Sequence, residues 1–146
     1  MTRASLELAP GLLGAAIAEA ARLAPVEYLA LLIGRQGDDR IEVVEILARP
    51  NAAARPESCF RLDPADWVRA RRRAAARGLD IVGFAHAHPH GPARLSAADR
   101  AGLAATFPEQ PSWPVLLLHG DLRGRWRGRA WRLRSGRPEE LRLLAP

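Results

Sequence analysis

The sequence predicts an α/β fold, a single domain over residues 1–146 in which helices flank a mixed central β-sheet. Three observations carry this. Residues 26–34, 79–84 and 114–119 are short apolar runs flanked by proline or glycine, which is how strands buried in a sheet read. Between them lie segments whose apolar residues recur at helical spacing. The chain has 146 residues, 48% of them hydrophobic, enough for one core without disulfide or metal staples. We find no internal repeat and no linker composition.

Composition narrows the class further. The lone cysteine, Cys59, excludes an internal disulfide. No basic start leads into an apolar stretch with a cleavage site, and no apolar run reaches membrane-spanning length, so the expected location is cytoplasmic. The formal net charge is +6, and all 22 basic residues are arginine. With the many alanines, this reads as a compositional bias of the genome more than a nucleic-acid surface. It would still steer acidic partners.

Taken in order, residues 5–8 form a first strand. Pro10 introduces a helix over 11–23, with Leu13, Ala16, Ile17, Ala20 and Leu23 on one face. Residues 26–34 are the central strand, closed by Gly34, and Glu27 stands at its head. A carboxylate there is either solvated at the strand's start or, if buried, paired or reactive. After a turn at Asp38-Asp39, residues 40–48 read as a strand carrying Glu42 and Glu45, two further general-base candidates. Residues 51–57 are loop, and 58–62 a short strand that makes Cys59 a buried small hydrophobe.

Asp63 and Pro64 suit the N-cap and first position of a helix with Trp67, Ala70, Ala74 and Ala75 inward and Gly78 as its stop. Residues 79–84 form the next strand, and a helix from Ser96 runs to about Thr106. Loop 107–112 then leads to the strand 114–119. His119 ends that strand as a turn residue by default, with nothing in the sequence to place it near a metal. In 123–134, arginines interleave with Trp126 and Trp131. An edge strand with a solvated arginine face explains this, with a bulge where the apolar phase shifts; a single-strand nucleic-acid platform is the alternative. Residues 138–144 close the chain.

The chemistry concentrates in residues 85–99. His86 and His88 lie two apart at a strand end, so both imidazoles face one space, roughly 7 Å apart at the backbone. Pro89 ends the strand. The loop from His90 to Leu95 lets Asp99 fold back toward them. Two imidazoles and one carboxylate leave a zinc ion an open position, the mark of a catalytic site. Ser96-Ala97-Ala98-Asp99 is also a capping box, which needs no metal; both can hold at once.

His-x-His-Pro, ten residues between His88 and Asp99, and Ser-x-x-Asp together resemble the JAMM (MPN+) metalloprotease motif. The resemblance implies an MPN fold, cytidine-deaminase-like, with Zn2+ held by His86, His88 and Asp99. It also implies that Ser96 hydrogen-bonds an oxyanion and that Glu27, rather than Glu42 or Glu45, is the catalytic glutamate. Leu95 stands where the family usually has proline, and Ala30 where many members have glycine. JAMM enzymes cleave peptide or isopeptide bonds after the Gly-Gly tail of ubiquitin-like proteins. The chain's length is similar to that of compact prokaryotic members, some of which process sulfur-carrier proteins. The expected partner is therefore a ubiquitin-like or sulfur-carrier protein whose tail adds beside an exposed sheet edge. A metal-free MPN scaffold and an Arg/Trp-rich nucleic-acid-binding module are the alternatives.

Overall fold

A computed structural model of the chain describes residues 3–55, 60–106 and 112–146. Among these residues the elements are β1 (Ser5–Leu8), α1 (Leu12–Leu23), β2 (Leu29–Gln36), β3 (Arg40–Arg49) and α2 (Pro64–Ala76). They continue with β4 (Asp80–His88), α3 (Ala97–Thr106), β5 (Val115–Gly120), β6 (Trp126–Arg134) and β7 (Arg137–Leu144). No helix among them is long and apolar enough to cross a membrane.

The strands pair in the order β1-β3-β2-β4-β5-β6-β7, and parallel pairing of β1 with β7 closes the sheet on itself. The sheet is mixed as expected: β1/β3 and β4/β5 are parallel, and the remaining neighbours β2/β3, β2/β4, β5/β6 and β6/β7 are antiparallel. Alternate side chains divide between two cores. Ala30, Leu32, Ala85, Leu116 and Leu118 face α1, which inserts Ala16, Ala20 and Ile17. Leu29, Leu31, Ile33, Phe84 and Val115 face the other way, toward Ala70 and Ala74 of α2 and Leu103 of α3. A side chain buried as completely as Leu31 or Leu32 contributes about 2 kcal/mol. Both faces of β2 are covered, which is why its apolar run is continuous rather than alternating.

Several expectations need correction. Strand β2 begins at Leu29, not Val26, and Gly34 does not end it. Gly34 lies at a bulge against β3, where a Cβ would sit 1.7 Å from the Glu42 carbonyl oxygen, so only glycine fits. The expected strand at 58–62 is irregular over 60–62; Cys59, like the loop at 107–111, lies outside the described residues. Strand β6 is no edge, because β7 covers its far side. Nor is it bulged: its register with β5 is continuous from Trp131 to Trp126. The two tryptophans are five residues apart and therefore on opposite faces, Trp126 in the α1 core and Trp131 in the other. Asp63 caps α2 as read, its carboxylate accepting from the Ala65 N–H at 2.9 Å.

Candidate metal centre

Strand β4 carries the histidines. Its even residues Phe84, His86 and His88 point to the α2/α3 side, and Pro89 follows the last strand residue. The chain then turns over the end of β5, where the Pro89 carbonyl oxygen would lie 2.4 Å from a Cβ on Gly120. Among the bonds that fix the loop, the Trp131 indole N–H donates to the Ala93 carbonyl at 3.2 Å, and Gly91 N–H donates to His88 O at 3.1 Å. Ser96 then caps α3. Its Oγ accepts from Asp99 N–H at 3.0 Å while Asp99 Oδ2 accepts from Ser96 N–H at 2.8 Å, a complete capping box. The cap and the cluster use the same carboxylate.

Asp99 stands between the two rings, Oδ1 2.7 Å from His86 Nε2 and Oδ2 2.9 Å from His88 Nε2. The ligand atoms of His86, His88 and Asp99 lie within 4.8 Å of one another, and all three residues are buried. Of the general-base candidates, only Glu27 reaches this cluster, its Oε2 3.6 Å from His86 Nδ1. Glu45 is engaged by Arg73 and Arg77, and Glu42 by Arg40. His90 is exposed and outside the cluster.

The donor set fits a divalent cation. His86 is fully buried, yet among the described residues neither ring nitrogen makes a hydrogen bond; Nε2 is close to Asp99 but not aligned as one. Glu27 Oε2 is buried and, among the same residues, equally without a partner. Such groups are costly unless something else satisfies them. His88 Nδ1 lies 2.7 Å from the Pro92 carbonyl, to which it must donate. In the neutral ring that leaves a bare Nε2 lone pair facing a carboxylate, so either a proton or a metal ion has to come between them.

The electrostatics agree. Burial pushes Asp99 up, but contacts with His86 and His88 and the Ser96 N–H outweigh it and hold the carboxyl well below its ordinary range. Burial pulls His88 down, and the Asp99 and Pro92 contacts more than reverse this. A proton and a metal ion thus compete for one lone pair. Burial raises Glu27 above 4.5, with His86 opposing and Asp99 adding, so it holds a proton more readily than a free glutamate.

Three contributors escaped the sequence reading. Asn51 Nδ2 donates to the Glu27 carbonyl at 3.3 Å while its Oδ1 accepts from Ala53 and Arg61 N–H groups, tying the glutamate's backbone to the next loop. Phe60 packs on the His86 ring, with centroids 4.8 Å apart. His119, which nothing in the sequence placed near the metal, is the register partner of His88. Burial, with Arg129, Arg127 and His88 adding, lowers its pKa and favours the neutral ring.

The chain is similar to known proteins in sequence and shape. A solution structure from Desulfitobacterium hafniense superposes with a TM-score of 0.81 at 23% identity, covering 97% of this chain and 92% of that one. Another, from Salinibacter ruber, gives 0.69 at 25% identity, covering 96% and 91%. A probable TtuB-protein conjugate cleaving protease of Thermus thermophilus is 33% identical over 89 residues, 61% of this chain and 57% of the relative. The desampylase of Haloferax volcanii is 33% identical over 94 residues, 56% of this chain and 62% of the relative. The matches thus span about three-fifths of these curated relatives' length. Residues 10–134 match the family described as prokaryotic homologs of the JAB domain, and the chain belongs to that family.

Proposed function

We infer that the protein is a zinc-dependent peptidase or isopeptidase. It hydrolyses the amide bond after the C-terminal Gly-Gly of a ubiquitin-like or sulfur-carrier protein. One observation carries the reading: a buried His86, His88 and Asp99 cluster with an unsatisfied carboxylate, Glu27, beside it. The names of the two relatives support the substrate class.

In this reading His86, His88 and Asp99 hold the ion, and Asp99 stays ionised because its environment holds its pKa down. Bound zinc would supply Lewis acidity and a water acidic enough to ionise near neutral pH. Glu27 would take a proton from the attacking water at Oε2 and return it to the departing amine. Its raised pKa suits both halves of the task. Ser96 Oγ already accepts from Asp99 N–H, so its own proton is available to the oxyanion that develops at the scissile carbonyl.

The carrier's tail has a place to lie. Strand β1 pairs with β3 only through Val43, so among the described residues 44–49 has no second strand neighbour. This stretch leads to Arg49, which shares a row with Leu29 and His86. A groove lined by Leu47, Arg49, Asp66, Arg69, Ala70 and Arg73 runs beside it.

The test is to incubate zinc-loaded protein with carriers extended past Gly-Gly and to read product masses, with Asp99→Ala as control. The expected result is loss of the extension with wild type alone. No loss from any carrier, with zinc bound and the protein folded, refutes the reading.

A further inference from the structure

The sheet face that carries His86 and His88 continues past them onto β5 and β6. Parallel pairing sets His88 beside His119, and antiparallel pairing sets His119 beside Arg127. The next row runs His86, Leu117, Arg129, and the one after it Phe84, Val115, Trp131. Partners in adjacent strands share a face. All three members of that last row enter the core under α2 and α3, which places His119, Arg127 and Arg129 on the metal centre's side. With strands about 4.8 Å apart, Arg127 stands roughly 10 Å from His88 at the backbone. Its side chain can bridge much of that.

The arginines lining the groove along β3 are already neutralised. On α2 and β3, Arg49 and Arg69 share Asp66, and Arg73 and Arg77 share Glu45. Arg127 is exposed and has no ion-pair or hydrogen-bond partner for its side chain among the described residues. Among the described residues the His119 Nε2 is buried with no partner, and no carboxylate bears on that ring, so nothing there neutralises Arg127. Arg129 is held in place, paired with Glu140 and stacked over Trp131 at 5.2 Å from the ring centroid. A cation left unneutralised beside a reaction centre suits an anion brought by the substrate.

We propose that Arg127, next to His119 in the row that starts at His88, binds a carboxylate on the segment that leaves, so that the preferred substrate carries a free α-carboxylate or an acidic side chain just past the scissile bond. This rests on the hydrolase reading above, in which the tail enters along β3 and the released residues therefore lie over β5 and β6. Water adds across the amide: the glycine carbonyl carbon gains oxygen and departs as a carboxylate. The C–N bond breaks, and both protons of water end on the leaving nitrogen, which departs as an ammonium. The released residues keep their own carboxylate on Arg127 until they dissociate.

The test uses three carrier proteins of ubiquitin fold, each extended past Gly-Gly by two residues: Ala-Ala as the free acid, Ala-Ala as the amide, and Ala-Asp as the amide. Wild type is expected to prefer at least one carboxylate-bearing probe over the Ala-Ala amide by about tenfold in kcat/KM, mostly through KM. Preference for the acid identifies an α-carboxylate, and preference for Ala-Asp amide an acidic side chain. Arg127→Gln should bring the ratio close to one and Arg127→Lys should keep part of it. Arg123→Gln, which removes the same charge from an exposed turn, should leave the ratio unchanged. Equal rates for all three probes, or a preference that survives Arg127→Gln, overturns the role of Arg127 while the hydrolase reading stands. No mass loss from any probe overturns both.

Discussion

Replacing Gly120 with alanine puts a methyl group 2.4 Å from the Pro89 carbonyl oxygen and 3.1 Å from Trp126 Cε2. Ordinary contact begins near 3.4 Å, so the Pro89 backbone must retreat by about 1 Å. Pro89 follows directly on His88, whose ring is already fixed at both nitrogens, by Pro92 O at 2.7 Å and Asp99 Oδ2 at 2.9 Å. Overpacking of this kind costs about 2 kcal/mol, which for a chain of this size lowers Tm by roughly 4–8 °C. Ligand distances in a metal site tolerate only about 0.2 Å, so zinc affinity should also fall, by about tenfold or more. Thermal melts with and without zinc, and a competition titration against a chromophoric chelator, read the two effects separately. If Gly120→Ala matches wild type in both Tm and zinc affinity, the loop is not held against β5 as described.

Three other outcomes follow from the same geometry. Glu27→Gln should abolish turnover while zinc affinity stays near wild type, read by product mass and chelator competition. Asn51→Ala, which frees the Glu27 carbonyl and the Ala53 and Arg61 N–H groups, should lower kcat by about tenfold, equivalent to roughly 1.4 kcal/mol, with zinc affinity unchanged. Burial raises Glu27, and only its ionised form accepts a proton. In the metal-free protein the Glu27 carboxyl, followed by NMR, should therefore titrate above 4.5 rather than at or below it.

The parts of the centre that could be read from the sequence are those set by local rules. The two-residue period of β4 puts His86 and His88 on one face, and the Ser96–Asp99 cap is defined within one turn of α3. Glu27 needed the family resemblance, since residues alone did not separate it from Glu42 and Glu45. What was missed depends on contacts distant in sequence. Asn51 meets Glu27 across 24 positions. His119 comes beside His88 only through the parallel register of β4 and β5, separated by a crossover containing α3. The phase shift between Trp126 and Trp131 looked like a bulge because one buried face was assumed; with a core on each side, a regular strand buries both. Strand β6 looked like an edge because nothing near it in sequence announces that β7 will return to pair with β1.

The most direct test of the centre is metal content after equilibrium dialysis against zinc and removal of free ion, read by elemental analysis on wild type and on Asp99→Ala. The account predicts one zinc per chain in wild type and almost none in the folded variant. Equal zinc in both, or none in wild type, would contradict it.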